Sequence, residues 1–169
     1  MTLRTLALVL VTVWLTGTVI MTFVATQNFR TVDRILERPT PEAAPKLSAM
    51  DHDSTRMLLR HLSSELNRLY FMTWNAVQLL LAVVVLALMV RAGSRLETVL
   101  ALTMLVIVVA LLGGTFRIIE LGRTIDFVSR DPVPPEVARF GKMHAAYGVM
   151  EVVKLVIGVV LGFCLAQRR

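Results

Sequence analysis

One cysteine, Cys164, stands in a chain of 169 residues, so no intrachain disulfide can form and the cysteine count carries no information about compartment. Charged residues are scarce at 18% and aromatic ones at 7%, while 56% are apolar. Soluble domains carry roughly a quarter charged and half apolar residues, so this imbalance, with a mean hydropathy of +0.69, excludes a water-soluble domain. The six prolines fall in two clusters, Pro39, Pro41 and Pro45 and then Pro132, Pro134 and Pro135. None interrupts an apolar stretch, where it would break the helical hydrogen-bond ladder. No Gly-rich phosphate loop, Gly-x-Ser-x-Gly elbow or Cys/His pairing occurs, so the protein is expected not to be an enzyme and to need no cofactor. The net charge of +6 is not arranged as a basic stripe interleaved with aromatics, which argues against a nucleic-acid partner.

What is present is four apolar runs, residues 6–25, 71–90, 99–116 and 146–165. Each comes close to or meets the roughly 20 helical residues that cross a hydrocarbon core about 30 Å thick. The first exceeds the about 7 to 15 residues of a signal-peptide core and is followed by no small-x-small cleavage site, so it reads as a retained span. These features predict one four-span transmembrane domain over residues 1–169, an all-α integral membrane antiparallel four-helix bundle whose partner is the lipid bilayer. Residues 91–97 are short enough for a tight hairpin between spans two and three. Residues 51–70 place Leu58, Leu59, Leu62, Leu66 and Leu69 at helical spacing among Arg56, Arg60, Glu65 and Arg68, which predicts an amphipathic helix running into span two. Spans one and three are expected to overrun in the same direction, so that helices project beyond one membrane face.

The short end carries Arg4, Arg91, Arg95, Arg168 and Arg169 against one acid, Glu97. The long end holds twelve basic residues and ten acids, and basic residues set topology. Density favours cytoplasmic termini in a bacterial inner membrane; the raw basic count favours the reverse. Cytoplasmic termini are the expectation.

Glu151 and Lys154 lie three residues apart within span four, on one helix face that continues back to Tyr147 and His144. Such a stripe must face the bundle interior or a wet cavity. Asn75 and Gln78 in span two lie at a similar depth, from which their amides are able to reach Glu151 or Lys154 across the bundle as interhelical glue. Arg117 and Glu120 close span three on one face. Two readings of these residues stand side by side: a self-neutralising pair that fixes helix register, and a polar intramembrane site built from Asn75, Gln78, Arg117, Glu120, His144, Tyr147, Glu151 and Lys154. Gly158 and Gly162 form a Gly-xxx-Gly pair suited to close helix packing, within the bundle or between copies. Met143 and His144 are the one adjacent pair of soft metal ligands, a weak copper signal because no His-x-x-x-His or Met-x-x-Met series accompanies it.

The order of three segments resembles the four-span transmembrane protein 205-like family, whose bacterial members carry domain of unknown function 4149. They are Phe-Val-Ala-Thr-Gln-Asn-Phe-Arg at 23–30, Phe-Arg-Ile-Ile-Glu-Leu-Gly-Arg-Thr at 116–124 and Arg-Phe-Gly-Lys-Met-His at 139–144. Arg117, Glu120, Phe140 and His144 match the family pattern, whereas Leu121 and Gly122 stand where it has proline. The resemblance implies a membrane fold and supplies no reaction or ligand. A more distant similarity to the membrane domain of copper-resistance proteins accompanies it. The leading expectation is a non-enzymatic membrane protein that binds or passes a small solute or ion. The alternatives are an accessory subunit or homo-oligomer docking a membrane-protein partner, and copper or other metal handling.

Overall fold

The computed structural model describes residues 1–128 and 132–167; of the short-end arginines, Arg168 and Arg169 lie outside the described residues. The elements are α1 (Leu3–Glu37), α2 (Ala44–Ser48), α3 (His52–Ala92), α4 (Arg95–Thr124) and α5 (Pro135–Gln167). No strand occurs among the described residues. All four long helices are long and apolar enough to cross a membrane. In hydrocarbon, a helix satisfies its own backbone groups where an open strand does not. The chain is an integral membrane protein and its fold is an all-α four-helix bundle.

Local chemistry sets where the helices begin. The Thr2 hydroxyl accepts from the Thr5 amide at 3.1 Å and the Asp51 carboxylate from the Ser54 amide at 2.9 Å, capping α1 and α3. Ser94 and Glu97 form a reciprocal capping box at the start of α4, so the hairpin between α3 and α4 contains only Gly93 and Ser94. Pro135 opens α5, where its missing N–H costs nothing. This start lies well upstream of the expected fourth span, so α5 also projects beyond the membrane. Nothing interrupts the passage from residues 51–70 into span two, and α3 runs unbroken for 41 residues.

The long helices form a ring in which α3 and α5 each pack against both α1 and α4 and meet one another diagonally through side chains in the interior. Buried positions follow alternating steps of three and four, as in Ala101, Met104, Val108, Leu111 and Thr115 on α4 and Lys154, Gly158, Leu161 and Leu165 on α5. That seam is the signature of knobs-into-holes packing between near-parallel helices. Toward the short end the interior is apolar, with Val11, Val85, Met89, Met104, Val108 and Leu161 in one cluster. Outward-facing Phe23, Leu80, Val106 and Phe163 are more than half exposed, as lipid-facing residues are.

Gly17 lets the Trp74 indole of α3 lie against α1, since a Cβ there would overlap the ring. Gly158 does the same for Leu15 and Met104. Gly162, expected to share that role, faces open space: a Cβ there would meet nothing within 4 Å, because the residue sits one turn beyond the close approach. At the short end Arg4 reaches Glu97 through both terminal nitrogens, at 3.0 and 2.6 Å, and also contacts the carbonyls of Ala92 and Cys164 at 3.4 Å. One α1 side chain thus ties together the ends of α3, α4 and α5. Glu97 is only 1% exposed, so a third charged residue joins Glu151 and Lys154 inside the bundle, one that the hydropathy pattern left at the membrane surface.

The projecting half of α3 departs from the amphipathic expectation. Its buried residues are Thr55, Ser63 and Asn67, whereas Leu58, Leu62 and Leu69 are 58%, 55% and 60% exposed. The polar face turns inward because α1 offers it backbone and amide partners: Asn67 donates to the Ala25 carbonyl at 3.0 Å and accepts from Asn28 at 2.6 Å. The leucines are left outside.

Candidate functional site

Halfway along the bundle the apolar interior gives way to a layer of polar side chains contributed by all four long helices. Trp14 donates its indole N–H to Gln78 Oε1 at 2.9 Å, and the same oxygen accepts from Lys154. Gln78 Nε2 donates to Asn75 Oδ1 at 3.3 Å, and Asn75 Nδ2 donates to Thr115 Oγ1 at 2.7 Å. Thr115 in turn donates to the Leu111 carbonyl, and Tyr147 donates to Asn75 Oδ1 at 3.3 Å. Lys154 pairs with Glu151 at 2.5 Å and lies 5.9 Å from the Trp14 ring centroid. Buried polar groups are tolerated in such a medium only when partnered, and here each amide of Asn75 and Gln78 is.

Lys154, Asn75 and Gln78 have no solvent exposure, and the Glu151 side chain keeps 15%. The Glu/Lys pair therefore belongs to a closed, satisfied layer. Above it, toward the long end, opens a cavity of about 1060 Å³ between α3, α4 and α5, with Phe29 of α1 at its edge. Tyr147 and Thr115 belong both to the cavity lining and to the polar layer, so they form its inner end. The walls are largely apolar, with Phe71, Ile118, Ile119, Ile125 and Phe140, and the Phe71 ring meets Tyr147 edge-on at 6.2 Å.

The mouth is charged. Arg68 donates to Glu65 at 2.5 Å and to Asp126 at 2.8 Å; Asp126 also pairs with His61 at 3.0 Å; Arg60 pairs with Asp33 at 3.2 Å. The Phe127 ring lies 4.6 Å from the His61 ring, which fastens the segment after α4 to α3. His61, Glu65 and Asp126 bring three ligand atoms within 4.8 Å of one another, the arrangement a divalent cation uses. Arg68 already supplies positive charge to both carboxylates.

Of the eight residues expected to form one polar site, Asn75, Gln78, Tyr147, Glu151 and Lys154 are joined in the buried layer. His144 lines the cavity and stacks on Phe140, with ring centroids 5.8 Å apart and planes 13° from parallel. Arg117 and Glu120 bind each other at 3.2 Å on the surface, 73% and 69% exposed, outside both layer and cavity. Met143 and His144 are neighbours in sequence and so lie on different helix faces; no cluster of His, Cys, Asp and Glu includes His144 among the described residues. Sequence reasoning missed Trp14 and Thr115, although both fall on the inward seams 7, 11, 14, 18 and 104, 108, 111, 115. It missed Arg68, His61 and Asp126 as well. Asp126 follows the end of α4, where no helical period points inward.

Against protein-family models, curated proteins and solved structures, the chain finds no match.

Proposed function

We propose that the protein is a non-enzymatic membrane protein that binds a small, mostly apolar molecule with one hydrogen-bonding end, held in the cavity above the polar layer. One observation carries this reading: a cavity of about 1060 Å³, apolar along its walls, ends on the hydroxyls of Tyr147 and Thr115. Ligand pockets of roughly 300–1,000 Å³, apolar with a few placed polar groups, have this make-up. In this reading Asn75, Gln78, Glu151 and Lys154 act beneath the ligand, holding Tyr147 and Thr115 in place. Passage onward to the short end has less support, since the apolar cluster around Met104 and the Arg4–Glu97 pair lie in the way. The dense arginines Arg4, Arg91 and Arg95 support a reading with the short end in the cytoplasm and the cavity mouth on the opposite side of a bacterial inner membrane. A place in the 205-like family is part of this proposal, supported by the resemblance at Arg117, Glu120, Phe140 and His144, of which Phe140 stacks on His144 and Arg117 pairs with Glu120.

The test is native mass spectrometry of the purified protein beside Ile119→Trp, which fills the cavity from an α4 wall position. A small molecule retained by the parent and lost from the variant is the expected outcome. Identical spectra from both proteins, with no adduct, would sink the binding reading. For passage, solute flux in proteoliposomes unchanged by Glu151→Gln and Lys154→Met would exclude a path through the polar layer.

A further inference from the structure

We infer that the molecule held in the cavity is a neutral, elongated alcohol whose hydroxyl donates a hydrogen bond to the inner end. This rests on the cavity reading above and adds the direction of the hydrogen bond and the charge of the ligand. The layer beneath the cavity fixes that direction.

One group in the layer leaves no choice of polarity. An indole N–H only donates, so the atom that receives Trp14 at 2.9 Å is the Gln78 oxygen, and Lys154 donates to the same atom. The Gln78 amide nitrogen is thereby turned toward Asn75 and donates to its Oδ1 at 3.3 Å. That contact orients the second amide: Asn75 Oδ1 faces Gln78 and Tyr147, and Nδ2 faces Thr115. Facing an amide nitrogen, Thr115 Oγ1 accepts at 2.7 Å and sends its own hydrogen to the Leu111 carbonyl at 2.9 Å. Facing an amide oxygen, Tyr147 donates at 3.3 Å. Each hydroxyl has a single hydrogen, and both hydrogens point into the layer. What Tyr147 and Thr115 still offer the cavity is lone pairs.

Lone pairs discriminate among ligand ends. A hydroxyl donates to them, whereas a carbonyl, an ether or a carboxylate brings lone pairs of its own and finds no hydrogen there. An acceptor buried against another acceptor loses its hydration without gaining a bond. Charge narrows the class further. Around the mouth Arg68 is shared by Glu65 and Asp126, His61 meets Asp126 and Arg60 meets Asp33, so these ionic groups answer one another. Arg56 and Asp53, one of each sign, stand exposed at the outer rim. A neutral ligand leaves that balance undisturbed. Shape gives the last restriction: along α3 the lining runs from Met57 through Arg60, Ser64 and Asn67 to Phe71, about 21 Å of helix axis, which suits an extended chain.

Direct binding of four tritiated probes of matched chain length tests this, with purified protein in nanodiscs and empty nanodiscs as the blank. Hexadecanol is expected to bind about tenfold more tightly than its methyl ether, which accepts but does not donate. Palmitate, ending in a carboxylate, and hexadecylamine, ending in an ammonium ion, are expected to bind no better than the ether. Tyr147→Phe removes an acceptor oxygen and is expected to bring hexadecanol down toward the ether, whose own binding changes little. A parent that binds the ether or palmitate as tightly as hexadecanol, binds hexadecylamine more tightly, or binds none of the probes overturns the inference. The cavity reading is decided separately by Ile119→Trp: it stands if that variant loses the binding seen in the parent, whichever probe is preferred, and falls if the variant leaves it unchanged.

Discussion

Lys154 on α5 and Gln78 on α3 are hydrogen-bonded across the centre of the bundle, and the oxygen that accepts from Lys154 accepts from Trp14 too. With Glu151 on its other side, the ammonium is enclosed without any exposure. Removing one member of a buried pair leaves an uncompensated charge, which is worse than removing both. Lys154→Met should therefore destabilise the bundle by about 3 kcal/mol, and adding Glu151→Gln should recover most of the loss. Unfolding of detergent-solubilised protein by a graded denaturing detergent measures both. If the single variant is as stable as the parent, the pair does not hold the helices in register.

Close approach of α1 and α3 depends on Gly17, whose position leaves room for the Trp74 indole. Gly17→Val should force that ring out of place and cost about 1–3 kcal/mol, the range for overpacking. Gly162→Ala meets open space and should be neutral within the error of the same measurement. Equal effects at the two glycines would contradict this packing.

The transmembrane frame was legible because hydrocarbon imposes length and composition on whatever crosses it, and the inward stripe through Tyr147, Glu151 and Lys154 followed from helical period alone. The projecting ends were harder. A leucine stripe beside arginines reads as a buried apolar face in water, yet α3 turns Ser63 and Asn67 inward because Asn28 and the Ala25 carbonyl wait there. Sequence spacing holds no record of those partners. Glu97 was misplaced for a related reason: its burial comes from Arg4, 93 residues away, a tertiary contact that no local window contains. The cavity mouth was illegible because Asp126 reaches it from beyond the end of a helix.

Arg68 stands between two carboxylates that, with His61, otherwise form a three-ligand set. Arg68→Ala should release Glu65 and Asp126 and lower the electrostatic barrier to a divalent cation. Titration with zinc is expected to raise the thermal midpoint of Arg68→Ala and to leave the parent unchanged. A rise in the parent as large as in the variant would mean that Arg68 does not exclude metal, and would favour the metal-handling reading. Zinc without effect on either protein would mean that the three ligands are not poised for it.

The Arg4–Glu97 pair should give the short end an acid limit. The Arg4 guanidinium, foremost, and then the Ser94 amide hold the Glu97 carboxyl down at about 2 from an ordinary 4.5, against burial that pushes it up. A carboxylate with a depressed folded value contributes stability above its unfolded value and loses that contribution as pH falls toward the folded one. Between about pH 5 and 8 the pair should therefore contribute a constant amount, on the order of 3 kcal/mol at most. From about pH 4.5 down to about 2 that amount should fade. Glu97→Gln removes the titrating group, so its stability should be lower than the parent's near pH 7 and converge on it as the solution is acidified. Unfolding curves of both proteins in detergent across this range supply the comparison. A parent and variant separated by the same margin at about pH 7 and about pH 3 would show that Glu97 does not titrate in that window.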